Sequence, residues 1–129
     1  MALDNARPRI DKLGVKPGHK VSVVGIDDAV FARELEARTD DVRYGRIAKG
    51  SDIIFLGVTR SRDLARLATA LRAMARNGAV WVIRPKGVHG FDENAVRNAA
   101  LAAGLVDVKV VSFSESLSAL KLVIRLVDR

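Results

Sequence analysis

The sequence predicts an α/β fold in three layers, with a mostly parallel sheet and an antiparallel C-terminal hairpin strand. Three observations carry this. Short β-rich segments alternate with amphipathic helical ones, the order that gives parallel strands and right-handed crossovers. Two runs, Ile53–Val58 and Ala79–Ile83, are apolar without interruption, as strands covered on both faces are. The last two β segments are separated only by Glu115-Ser116-Leu117, too few residues for a parallel crossover.

The chain has 129 residues, which suits one domain, 1–129. Residues 1–11 are polar and are expected to be loosely held. Pro17-Gly18 marks a turn, and Lys20–Gly25 reads as the first strand. Asp27 or Asp28 is placed to cap a helix over Ala29–Arg38, in which Phe31 and Leu35 share one face. Val42–Arg46 is a weak strand near an edge. Gly50-Ser51 turns the chain into Ile53–Val58, the expected centre of the sheet. Ser61 is placed to cap a helix over Arg62–Arg76, with Leu64, Leu67, Ala68, Leu71, Met74 and Ala75 on one stripe and Arg62, Arg66, Arg72 and Arg76 towards solvent. Asn77-Gly78 is expected to end that helix, with glycine in the left-handed conformation. Ala79–Ile83 follows, with Trp81 in the core. Arg84–Gly90 is a loop, because proline and two glycines do not continue a ladder. Asp92 is placed to cap a helix to Ala103 that packs through Val96, Ala99, Ala100 and Ala103. Asp107–Ser114 and Ser118–Val127 form the hairpin.

Composition narrows the function classes. Hydrophobic residues make up 49% and charged residues 29% of the chain, a globular profile. No apolar run approaches the ~20 residues of a membrane helix, and the N-terminus lacks the apolar core of a signal peptide; a cytoplasmic location is expected. There is no cysteine and there are two histidines, so disulfides and thiolate metal sites are excluded and no metal site is expected. His19 precedes the first strand and is expected to be structural. The net charge of +7 favours anionic partners, and makes a nucleic-acid accessory protein one candidate. No Gly-x-Ser-x-Gly elbow is present, and no catalytic residue is assigned.

Pro17–Gly25, Asp52–Val58, Asn77–Ile83 and Ala103–Val108 resemble the first motif approach, fourth strand, following turn and strand, and sixth-strand entry of class I S-adenosylmethionine-dependent methyltransferases. Lys12–Gly18, Thr59–Asp63, Trp81–Lys86 and Ala102–Val108 resemble more closely a family of small bacterial proteins with that fold and no assigned activity. The resemblance implies a truncated, methyltransferase-like, Rossmann-like domain. The first motif departs from the methyltransferase pattern: Val23-Val24-Gly25-Ile26-Asp27-Asp28 has one glycine where several are needed. Ile26 stands where open backbone is required. Gly45 and Arg46 stand where an acidic residue would hold the ribose.

In such sheets ligands bind at the carboxyl ends of the strands, where strand order reverses. The resemblance implies that this point lies between Lys20–Gly25 and Ile53–Val58. The converging loops carry Gly25, Asp27, Asp28, Arg60, Ser61, Arg62, Arg84, Lys86 and His89. Four cations beside a helix N-terminus suit an anion. In the competing arrangement Arg60 pairs with Asp27 or Asp28, Arg62 is solvated, Arg84 folds over the sheet edge, Lys86 faces water and His89 is an exposed loop residue. The expected function is a non-catalytic module binding an anionic small molecule or a protein partner, with no cofactor; the alternative is a methyltransferase using S-adenosylmethionine. An apolar terminal strand also leaves an edge that suits a homodimer.

Overall fold

The computed structural model describes residues 7–87 and 93–129. A short helix α1 (Arg9–Lys12) leads into β1 (Lys20–Val24), α2 (Ala29–Arg38), β2 (Asp41–Tyr44) and β3 (Ser51–Gly57). A 3₁₀ turn (Ser61–Ala65) precedes α3 (Arg66–Ala73) and β4 (Met74–Pro85). Then come α4 (Glu93–Ala103), β5 (Leu105–Ser112), β6 (Leu117–Ile124) and a closing 3₁₀ turn (Leu126–Asp128). The six strands form one sheet in the order β2-β1-β3-β4-β6-β5. The β1–β2, β1–β3 and β3–β4 pairs are parallel, and the two pairs made by β6 are antiparallel. The α/β class, the central place of β3 and the antiparallel hairpin therefore match expectation.

Alternation along β3 sends Ile53 and Phe55 to one face and Ile54 and Leu56 to the other. Ile54, Leu56, Val80, Val82, Leu120 and Leu122 pack against Leu67 and Ala70 of α3 and Val96 and Ala100 of α4. On the opposite face Val21, Val23, Ile53, Phe55, Trp81 and Ile83 meet Ile10, Leu13, Phe31, Leu35 and Phe113. Phe31 stands edge-on to Phe55 and Phe113, with ring centres 5.0 and 4.8 Å away. Buried Trp81 donates its indole N–H to the Leu13 carbonyl at 3.0 Å, fastening the lead-in to β4.

Residues 9–11, expected to be loosely held, are anchored instead. The Arg9 guanidinium clasps Glu34 through two bonds of 3.0 and 2.9 Å, donates to the Phe113 carbonyl and covers the Phe31 and Phe113 rings. Arg38 ties Asp11 through a single bond of 2.6 Å and donates to the Val15 carbonyl at 2.8 Å. A polar segment is thus held by two ion pairs and by one guanidinium, that of Arg9, laid over aromatic faces.

The region expected to be one helix over Arg62–Arg76 is a 3₁₀ turn, a shorter helix and the start of a strand. Met74 pairs with Ser51, and Ile53 next pairs with Ala79. Four residues of β4, Ala75 to Gly78, therefore oppose Asp52 alone in a wide bulge. Gly78 is not a left-handed helix cap, since its φ is negative. It is needed because a Cβ there would lie 2.7 Å from the Asp52 carbonyl oxygen and 3.0 Å from that of Ala75. Ala68 is exposed and Ala70 takes its place in the core. The edge strand β2 is shorter than expected and β5 starts earlier, at Leu105. The final strand stops at Ile124; Leu126 and Val127, expected within it, are 78% and 89% exposed. Asp92, expected as a cap, lies outside the described residues.

The centre of the sheet contains a closed polar ring. Ser51 donates its hydroxyl to the Ala48 carbonyl, so the 2.8 Å contact between the two serine hydroxyls takes its proton from Ser22. The Ala48 amide completes the ring by donating to the Ser22 hydroxyl oxygen at 2.9 Å. All three residues are buried. Ser22→Ala leaves the Ala48 amide without a partner, and the urea midpoint is expected to fall by the equivalent of about 1–3 kcal/mol at unchanged slope. A midpoint equal to wild type would mean that the ring contributes nothing.

Candidate functional site

The strand order reverses between β1 and β3, and the carboxyl ends of these two strands meet there. β1 leaves the sheet through Gly25, whose φ of 78° is open to glycine. Gly57 ends β3. A Cβ on Gly57 would stand 2.1 Å from the Gly25 carbonyl oxygen, and one on Gly25 would stand 2.9 Å from that of Gly57. The two backbones thus touch where a crevice would open. Ile26 Cγ1 lies 3.1 Å from the same Gly57 position, and the Ile26 side chain packs onto the Phe31, Phe55 and Phe113 core.

Two concavities flank this contact. One, of about 580 Å³, is bounded by Gly25–Val30, Gly57–Thr59, Ile83, Pro85 and the hairpin turn. The other, of about 160 Å³, lies between the Ile26–Asp28 loop, Phe31 and Tyr44. Residues Ile26 to Ala29 form a wall of both. Asp28 accepts the Phe31 amide at 3.0 Å as the cap of α2 and stands 3.6 Å from Arg9. Asp27 is exposed at the rim.

Of the residues expected to converge, Gly25 and Asp27 line the larger concavity together with Asp28. Arg60, Ser61 and Arg62 do not; they are exposed on the 3₁₀ turn beyond Thr59. Arg84 is drawn to Glu93 at 3.7 Å and bonds the Pro85 carbonyl. Lys86 donates to the Ser112 hydroxyl at 2.8 Å. His89 lies outside the described residues. Ser61 does not cap the following turn. The Asp63 carboxylate does, accepting the Thr59 and Arg60 amides at 3.0 and 3.1 Å.

Ser114, Ser116 and Leu117 line the larger concavity and were not singled out for it. The signal was available: an antiparallel β6 beside parallel β4 must return its turn to the carboxyl end of β4, as the Pro85–Leu117 pairing does.

Comparison with solved structures finds this fold in the ribosomal protein L11 methylase of Lactobacillus delbrueckii subsp. bulgaricus, with a TM-score of 0.70 and 12% identity over 91% of this chain and 75% of that one. A SAM dependent methyltransferase from Aquifex aeolicus matches with a TM-score of 0.70 and 15% identity, over 90% and 87%. The Methanococcus jannaschii fibrillarin pre-rRNA processing protein matches with a TM-score of 0.57 and 11% identity, over 85% and 68%. The fold is thus that of class I methyltransferases in a truncated form. No curated protein matches the sequence. A family model described as "Protein of unknown function (DUF3052)" matches residues 10–126.

The Asp63 carboxyl is held below its ordinary value of 3.8, chiefly by the Thr59 amide; burial opposes this, and the Arg60 amide, Arg66 and Arg62 add to it. A depressed folded value means stability present above 3.8 and lost as pH falls through the folded value. Asp63→Asn is therefore expected to lower stability at pH 7 by about 0.3–1 kcal/mol. That gap should narrow below pH 3.8 and close once wild-type Asp63 is protonated. Thermal melts at a series of pH values check this; a gap independent of pH would contradict it.

Proposed function

The chain belongs to the family described as protein of unknown function DUF3052, and we propose that it uses its methyltransferase-like fold as a non-catalytic module that binds a small molecule at the carboxyl end of the sheet. The observation that carries this reading is the Gly25–Gly57 contact capped by Ile26. It spends on packing the space that the fold would leave for a cofactor beside β1. S-adenosylmethionine fits these residues poorly. The turn after β1 has one glycine, and β2 ends at Tyr44, followed by Gly45 and Arg46, where a carboxylate would be needed. The remaining concavity, about 580 Å³, is within the range of small-molecule sites.

Its lining favours a ligand other than the anion expected from sequence. Asp27 and Asp28 stand there, and among the described residues no lysine, arginine or histidine does. Thr59, Ser114 and Ser116 supply hydroxyls between Ile26, Val58, Ile83 and Leu117. This pattern suits a partly apolar ligand bearing an amine or hydroxyls. Asp28 is committed to α2 and Arg9, which leaves Asp27 to meet the ligand's polar end.

The methyltransferase reading draws support from the fold neighbours, and one titration separates the two. Calorimetry with S-adenosylmethionine at millimolar concentration is expected to give no heat; saturable binding would restore the methyltransferase reading. A thermal-shift panel of amines, polyols and phosphorylated metabolites is expected to select from the first two classes. A ligand at a hundred times its Kd stabilises by about 2.7 kcal/mol, or roughly 10 °C here. The shift should fall in Asp27→Asn. Selection of phosphorylated compounds that is unaffected by Asp27→Asn would refute this assignment.

A further inference from the structure

A larger concavity lies at the opposite end of the sheet, at the amino ends of β3 and β4. It measures about 630 Å³ and carries Lys16, His19, Arg76, Asn77 and Lys121, with Asp52 as its single carboxylate among the described residues. We propose that this cavity is a second site, for a small phosphate-bearing anion, held by Lys16, Arg76 and Lys121 with His19 and Asn77 as neutral donors.

Four observations support it. First, three cations, Lys16, Arg76 and Lys121, outnumber Asp52, whose Oδ2 accepts the Lys20 backbone amide at 2.8 Å. Second, the β4 bulge places Ala75, Arg76 and Asn77 outside the ladder and against the cavity, and Gly78 fixes that bulge against the Asp52 carbonyl. Bulges commonly re-aim side chains beside sites. Third, the His19 Nδ1 accepts the Lys16 amide at 3.1 Å, so the neutral ring carries its proton on Nε2 and is a donor. Fourth, Lys121 has no carboxylate or hydrogen-bond partner among the described residues. Its ammonium lies 6.0 Å from the Trp81 ring centre, and the residue pairs with Lys109 across the hairpin. Burial, and after it Lys109, lower the Lys121 pKa. A half-buried cation facing a like charge is stabilised by an arriving anion.

A second, shallower concavity, with Arg7, Lys12 and Lys109, adjoins through the Lys109–Lys121 pair. A nucleic-acid strand would use both; a small anion would use only the first. That difference allows the two sources of phosphate to be told apart.

The probes are metal-free ATP and a single-stranded 12-nucleotide RNA, each titrated at low salt. Trp81 is the chain's one tryptophan, beneath Lys121, and its fluorescence reports occupancy. ATP is expected to bind, with affinity about tenfold weaker in Arg76→Gln and weaker again in the Lys121→Gln/Arg76→Gln double variant. Arg7→Gln/Lys12→Gln should leave ATP affinity within twofold. Arg76 is exposed, so its single variant keeps the test readable if the double variant melts early. Binding of RNA alone, weakened by all four substitutions, would overturn the proposal in favour of a nucleic-acid surface. Absence of binding by either probe would also overturn it, as would ATP binding lost in Arg60→Gln/Arg62→Gln instead. None of these outcomes depends on Asp27, so the crevice reading stands or falls separately.

Discussion

The backbone contact between Gly25 and Gly57 governs what this fold can do. In a parallel sheet the strand ends at a reversal of order diverge, because their connections leave to opposite faces, and a ligand uses the gap. Here two residues without side chains let the ends of β1 and β3 close on each other. Once they touch, the residue after Gly25 has its place set. Ile26 turns onto the Phe31, Phe55 and Phe113 cluster, and the loop that follows becomes a partition. Core packing and the shape of the crevice therefore rest on one contact.

The carboxyl end of the sheet is also chemically occupied. Helix N-termini gather there in this class of fold, and their free amides ordinarily make it attractive to anions. The chain supplies its own anions. Asp28 takes the first-turn amide of α2, and Asp63 takes the amides of Thr59 and Arg60. At the other end of the sheet, Lys16, Arg76 and Lys121 surround the cavity at the amino ends of β3 and β4.

Much of this was legible in sequence because it depends on local pattern. Continuous apolarity marked β3, the spacing of Phe31 and Leu35 marked the buried side of α2, and Asp28 was one of two capping candidates. What escaped depends on distant partners. Met74 and Ala75 continue the helical stripe of α3, yet Met74 pairs with Ser51, and sheet pairing outweighs helical periodicity at that boundary. Asn77-Gly78 has the chemistry of a helix stop, but the glycine answers to the Asp52 carbonyl across the sheet. Arg9 sits in a polar stretch with no local reason to be ordered; its partners Glu34 and Phe113 are 25 and 104 residues away. Arg84 and Lys86 were expected to aim at the crevice, and Glu93 and Ser112 hold them.

The Ser22–Ser51–Ala48 ring has a kinetic side. Ala48 belongs to the connection between β2 and β3, where amides ordinarily exchange with solvent through small local openings. Its N–H ends on a buried hydroxyl that is bound to a second, and the second returns to its own carbonyl. The connection must detach from both buried serines before that amide is free, so its protection is expected to exceed that of neighbouring loop amides and to report how firmly the connection is seated on β1 and β3.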